Sequence, residues 1–255
     1  MGYPRDLLSS RSIIKRGNFA LIPPEGQVKN VVPGFENCDL TILASPRLGA
    51  KFVDYVITMH EGGKNLQGYG EPGVETFVYC MEGQVKASAN DEAFHLTQGG
   101  YLYCPSGVTM YLENAQTADT KLFLYKQKYT PLPDNSRTPW VVSGNVNEIA
   151  AIDYDDMANV KLQDLLPTDL AFDMNFHILA FEPGGCHPFV ETHYQEHGAI
   201  MLSGEGVYNL DNEWIPIKKG DYLYMGPYVP QATYAVGREP FAYLYSKDCN
   251  RDASL

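Results

Sequence analysis

Three side chains in the segment GCHPFVETHYQEHGAIMLSG (185–204) have the types and spacing to hold a metal ion. Glu191, His193 and His197 share one parity. On an extended strand, residues i, i+2 and i+6 point to one face, so a carboxylate and two imidazoles would project into one cavity. Gln231 closes the segment GDYLYMGPYVPQ (220–231) and is a candidate fourth donor. A lone histidine is usually a satisfied structural group, and His60, His95, His177 and His187 are read that way. Spacing sets His193 and His197 apart. Tyr243 and Lys247 share a parity in the run AYLYSK, and an inward lysine needs a partner. Tyr208 reads equally well as core or as cavity lining.

These residues must be positioned by strands. FVDYVITM (52–59), TFVYCM (76–81), KLFLYK (121–126), NFHILAF (175–181), AIMLS (199–203) and AYLYSK (242–247) are short runs rich in β-branched and aromatic residues. Turn signals such as EGG, PGG, SGEG and DNE separate them. Short helices are expected only near Asn147–Ala151 and Leu162–Leu166. The chain also repeats itself. Gly83 and Gly204, Gly99 and Gly220, and Lys126 and Lys247 all stand 121 residues apart, which indicates a duplicated domain. The Pro-rich stretch 129–145 reads as the link between halves. The expected architecture is all-β, two antiparallel barrels or jelly rolls, divided as 1–145 and 146–255.

Composition narrows the function classes. The net charge of −12 leaves no basic stripe for nucleic acid. No apolar run is long enough for a signal peptide or a membrane span. Five scattered cysteines without CxxC pairing suit buried thiols in a reducing compartment, so a cytoplasmic protein is expected.

The spacing resembles the cupin family. Gly185, five residues, Glu191-x-His193, three residues, His197, six residues and Gly204 match its first motif step by step. Gly220, five residues, Gly226-x-Tyr228, two residues and Gln231 match the second. The identities depart from the usual three His and one Glu. The resulting set is richer in oxygen, which moves preference toward Mn(II) or Fe(II) and away from Cu(II). In the first half Gly70, Pro72, Thr76 and Met110 fall in the ligand slots, so that half is expected to be metal-free and structural.

The runs ETHYQEHGAIMLSGEGVYNLDNEWIPIKKGDYLYMGPYVPQ and NFALIPPEGQVKNVVPGFENCDLTILASP resemble more narrowly the (S)-ureidoglycine aminohydrolases. The likeness covers nearly the whole chain. It implies a bicupin of two double-stranded β-helix barrels and a manganese-dependent hydrolysis of ureidoglycine to ureidoglycolate and ammonia in allantoin degradation. It also implies Glu191, His193, His197 and Gln231 as metal ligands, Tyr243 and Lys247 as substrate contacts, and Tyr208 as a further candidate. Glu191 and Lys247 are the expected catalytic groups, with Glu191 and Gln231 also facing the substrate. The implied partners are a small ureide and further copies of the chain. Two alternatives remain on the residues alone. Two His and one carboxylate also describe the triad of non-haem iron enzymes, hence a metal-dependent oxygenase or isomerase, and a bicupin that has lost its metal could be a sugar- or ligand-binding or storage module.

Overall fold

A computed structural model describes residues 10–253. Its strands in chain order are β1 (Ile13–Lys15), β2 (Phe19–Ile22), β3 (Phe35–Ala44), β4 (Phe52–Asn65), β5 (Val74–Glu82), β6 (Gln84–Ala89), β7 (Glu92–Thr97), β8 (Gly100–Cys104), β9 (Tyr111–Glu113) and β10 (Thr120–Lys128). There follow β11 (Val142–Asn145), β12 (Ile152–Tyr154), β13 (Met157–Asp164), β14 (Met174–Phe181), β15 (His197–Ser203), β16 (Glu205–Leu210), β17 (Glu213–Lys218), β18 (Tyr222–Met225), β19 (Gln231–Val236) and β20 (Phe241–Asp248). All six expected runs lie within these strands.

Two expected helices are not there. Val146–Glu148 is a single 3-10 turn, and Leu162 lies in β13, paired with Leu179 of β14. Continuous pairing of Val160–Asp164 with β14 outweighs the helical spacing of a few leucines. The proline-rich stretch is not all linker either, because β11 pairs with β8.

The chain forms two compact units. The first holds residues 27–46 and 51–148; the second holds the described residues up to Gly26 together with 47–50 and 149 onward. Unit membership changes after Glu148, and β1 and β2 belong with the second unit. β2 pairs antiparallel with β18 and is buried along Phe19, Ala20 and Leu21.

In the first unit a nine-stranded sheet runs β11-β8-β5-β10-β4-β9-β6-β7, with β3 also on β4. In the second, an eight-stranded sheet runs β1-β2-β18-β15-β20-β14-β13-β12, and β17-β16-β19 form a smaller one. Each unit is all-β and encloses one apolar core. Leu40, Ile57, Val78, Leu102 and Leu122 lie in the first core. Leu21, Leu179, Met201, Leu223 and Phe241 lie in the second.

The repeat is visible in the backbone as well as in the residues. The hairpins β6–β7 and β16–β17 turn on Asn90–Asp91 and Asp211–Asn212, every one with positive φ, the conformation that a two-residue hairpin of matching twist requires. Gly204 has φ +65, and an added Cβ there would stand 2.5 Å from the Pro240 carbonyl oxygen, so this motif position excludes larger residues. Two buried Tyr–Glu pairs also recur at the same offset: the Tyr103 hydroxyl donates to Glu75, and the Tyr224 hydroxyl donates to Glu196.

Arg11 pins the N-terminal strands to the second sheet. Its guanidinium donates to both carboxylate oxygens of Asp221, at 2.8 and 2.7 Å, and the Asp221 side chain is fully buried. Losing the partner would leave a buried carboxylate supported, among the described residues, by the Lys218 backbone N–H. Arg11 is 30% exposed, so solvent moderates the loss. Arg11→Ala is expected to destabilise the second unit by about 2 kcal/mol, read as a lower urea midpoint at unchanged slope.

Candidate metal centre and active site

The second unit contains a cavity of about 100 Å³. Glu191, His193, His197, Tyr208, Gln231, Tyr243 and Lys247 all line it. The route by which they get there differs from the expected one. Glu191, His193 and His197 do not share a continuous strand. Only His197 is in regular structure, at the start of β15; Glu191 makes an isolated bridge to Gln231, and His193 sits in the loop between. Pro188 lacks the N–H that a strand interior would use. The backbone of 185–193 pairs across to 228–235 instead. Glu191 and Gln231 exchange N–H···O bonds of 2.9 Å each, His187 N–H donates to Thr233, and Tyr228 N–H donates to the His193 carbonyl at 2.7 Å. Tyr228 takes a φ of +62 at the motif position where the first unit has Gly107, a costly conformation for a bulky residue.

The donors converge on His193. Its Nε2 lies 3.3 Å from His197 Nε2, 2.9 Å from the Gln231 amide nitrogen and 3.9 Å from Glu191 Oε1. Bonds of about 2.1 Å to one ion set neighbouring donors about 3 Å apart, so this spacing suits a shared cation. The tautomers suit it too. His197 Nδ1–H donates to the Ser246 carbonyl at 2.8 Å and His193 Nδ1–H to that of Gln195 at 3.2 Å, which leaves both Nε2 lone pairs facing the cage. Gln231 Oε1 is buried without a hydrogen-bond partner. A half-turn of that amide puts the oxygen where the nitrogen stands, and a cation would satisfy it. Among the described residues, no three His, Cys, Asp or Glu side chains form a cluster ready to hold an ion. The set here relies on an amide as its fourth donor, and Glu191 stands farthest out.

Burial sets the protonation states. It lowers the His193 imidazole, aided by the nearby Lys247 charge. It holds His197 well below the usual range, with His193 adding to the effect. Neutral imidazole is the form that binds metals. Burial pushes the Glu191 carboxyl up, against the pull of Lys247. Burial likewise raises the Tyr208 and Tyr243 phenols, whose rings lie 6.1 Å apart, so both remain hydroxyl donors.

The cavity includes residues that the sequence analysis set aside as structural or did not name. His177 Nδ1–H donates to Asp164 at 2.6 Å, and the ring stacks on Tyr245 at 5.0 Å. The hydrogen bond from His177 holds the Asp164 carboxyl below its ordinary value. Strand register was the available signal: His177 and Leu179 stand opposite Tyr245 and Tyr243 across β14 and β20.

The first unit departs from its expected slots by one residue. Tyr69 and Met110 exchange backbone hydrogen bonds of 2.7 and 2.9 Å, as Glu191 and Gln231 do. Tyr69, rather than Gly70, thus stands in the place of Glu191, and Glu71, rather than Pro72, in that of His193. The connection onward to Thr76 carries one extra residue, which a constant offset cannot register.

His187 walls the cavity between Phe181 and Tyr154. Its Nδ1 accepts the Thr233 N–H at 2.9 Å, and burial lowers its imidazole from 6.5 to about 4. Between those values the unfolded chain binds the proton and the folded chain resists it, so stability rises with pH across the window. His187 contributes fully above pH 6.5, and its contribution is lost as pH falls toward 4, by up to about 3 kcal/mol. Urea unfolding of wild type and His187→Asn at neutral and acidic pH should show a smaller acid loss in the variant.

Three comparisons bear on identity. The cupin domain family model matches residues 177–246. The (S)-ureidoglycine aminohydrolase of Escherichia coli (strain K12) is 57% identical over 255 residues, covering 100% of this chain and 97% of that protein. The (S)-ureidoglycine aminohydrolase of Arabidopsis thaliana is 31% identical over 244 residues, covering 95% of this chain and 79% of that one. The crystal structure of protein Ylba from E. coli superposes with a TM-score of 0.88 at 55% identity, covering 100% of both chains.

Proposed function

This chain belongs to the (S)-ureidoglycine aminohydrolase family of cupin hydrolases, and from that premise we propose that its second barrel hydrolyses ureidoglycine to ureidoglycolate and ammonia in allantoin breakdown. The observation that carries this reading is the convergence of Glu191, His193, His197 and Gln231 beside Lys247 and two buried tyrosines.

The substrate bears a carboxylate, a ureido group and an amine around one carbon. In the reaction the carbon–nitrogen bond breaks, a water oxygen takes its place, and the nitrogen leaves with an added proton. Lys247 is the cation in the cavity that can hold the substrate carboxylate. Tyr243 and Tyr208 present hydroxyls from a nearly dry wall, at 2% exposure each, and so orient the substrate with little reorganisation. Glu191 lines the cavity as a partly buried carboxylate, placed to take a proton from water and pass it to the departing nitrogen. Met225 and Leu179 close the cavity's apolar side and limit competing water.

Glu191, His193, His197 and Gln231 would hold a divalent ion. Two neutral nitrogens with a carboxylate and an amide oxygen favour Mn(II), with Fe(II) second. Such an ion supplies Lewis-acid polarisation at the reacting carbon and a template for the carboxylate and its neighbouring heteroatom. The first barrel is read as metal-free, since Tyr69, Glu71, Thr76 and Met110 stand in the corresponding places. We further place the protein in the cytoplasm as a homo-oligomer assembled through strand edges; no helix among the described residues is long and apolar enough to cross a membrane.

Two variants test the reading by ammonia release from freshly generated ureidoglycine. After chelation, wild type should regain turnover with Mn(II), and His193→Ala should not. Lys247→Met should lower kcat/KM about 100-fold or more, with the metal content unchanged. Full turnover in Lys247→Met would remove that residue from the mechanism. Oxygen uptake in place of ammonia release would point to the oxygenase alternative.

A further inference from the structure

The first unit has a cavity in the position that the metal cage occupies in the second. Its volume is about 150 Å³, against about 100 Å³ in the second. The two are lined by corresponding residues. Leu40 of β3 stands where Leu162 stands in β13, Tyr55 where His177 stands, Leu124 where Tyr245 stands, and Lys126 where Lys247 stands. The cavity therefore persists in a barrel that has lost the histidines.

Four side chains mark it as built to receive something. The Lys126 ammonium lies 3.4 Å from Glu71 and 5.8 Å from the centre of the Tyr69 ring. It supplies a resident positive charge where the second unit is read as holding an ion. Tyr69 is 7% exposed, and its hydroxyl is buried without a hydrogen-bond partner, a costly state for a polar group. Tyr55 brings a second hydroxyl to the same lining, close enough to act electrostatically on Tyr69. The Glu71 side chain is 66% exposed, so it can shift from Lys126 toward a guest at little cost.

We propose that this cavity is a metal-independent binding site for a small carboxylate that carries an N–H donor, such as a ureido or amino acid. The guest carboxylate would take Lys126 and the Tyr69 hydroxyl. The guest N–H would take Glu71. Val32, Phe35 and Leu124 give the apolar surround that strengthens those contacts. A simple anion would leave Glu71 opposing it, and a simple cation would meet Lys126, so the charge pair selects a guest with both groups. The inference does not depend on the reaction assigned to the second barrel.

N-carbamoylglycine is a stable probe with this chemistry. Titrated calorimetrically into the manganese-loaded full chain, it should bind at two sites per chain. Lys247→Met should weaken one and leave the other. In that background Lys126→Met should weaken the remaining site about tenfold or more, as expected for a lost charge-assisted contact. Tyr69→Phe keeps the ring and its packing, and should weaken the same site severalfold without lowering the melting temperature. Absence of binding to Lys247→Met, or binding there that neither Lys126→Met nor Tyr69→Phe alters, overturns the proposal. If instead only the Lys247-dependent event is missing, the second-barrel reading fails and this one stands.

Discussion

The geometry of the second barrel's cavity depends on one antiparallel contact, the pair of 2.9 Å backbone hydrogen bonds between Glu191 and Gln231. Those bonds bring a carboxylate and an amide from segments forty residues apart to the same wall. The flanking bonds from His187 to Thr233 and from Tyr228 to the His193 carbonyl extend the clamp in both directions. Without them the loop after Pro188 would have no reason to carry its side chains inward. The left-handed Tyr228 belongs to the same constraint, because its N–H reaches the His193 carbonyl only through that turn. A barrel whose strands are rigid can hold such a loop in one conformation, which is what a site needs when its donors must meet within a few tenths of an ångström.

Burial then does the electrical tuning. One dry cavity keeps two imidazoles neutral, raises a carboxyl and holds two phenols protonated. Each of these states follows from the low dielectric of the barrel interior. The same walls thus favour neutral imidazoles at His193 and His197 and raise the Glu191 carboxyl. His187 shows the cost of this arrangement, since a neutral buried imidazole ties the stability of the unit to pH.

Duplication has kept the scaffold and changed the contents. The hairpin turns, the motif glycines and the Tyr–Glu pairs recur at a constant spacing because the backbone needs them in either copy. The ligands do not recur, because nothing in the fold requires them. What the first barrel retains in their place is a lysine, a glutamate and two tyrosines around an open cavity.

The all-β class, the six principal strands and the duplication were readable from residue types and spacing, as was the common parity of Glu191, His193 and His197 and, separately, of Tyr243 and Lys247; that these and Gln231 share one cavity was implied by the family resemblance. These are local or periodic properties, and the chain carries them whether or not it is folded. The tertiary structure decided what depends on distant partners. Tyr208, open between core and lining, meets Tyr243 across the two sheets of the second unit. β1 and β2 joined the second unit because a free sheet edge and the Asp221 carboxylate stood waiting for them. His177, held by Asp164, entered the cavity through strand register, and Tyr69 and Glu71 took the places assigned to Gly70 and Pro72 through one extra residue in a loop. Register and loop closure are set by which backbone groups find each other across the sheet, and no spacing along the chain records that choice.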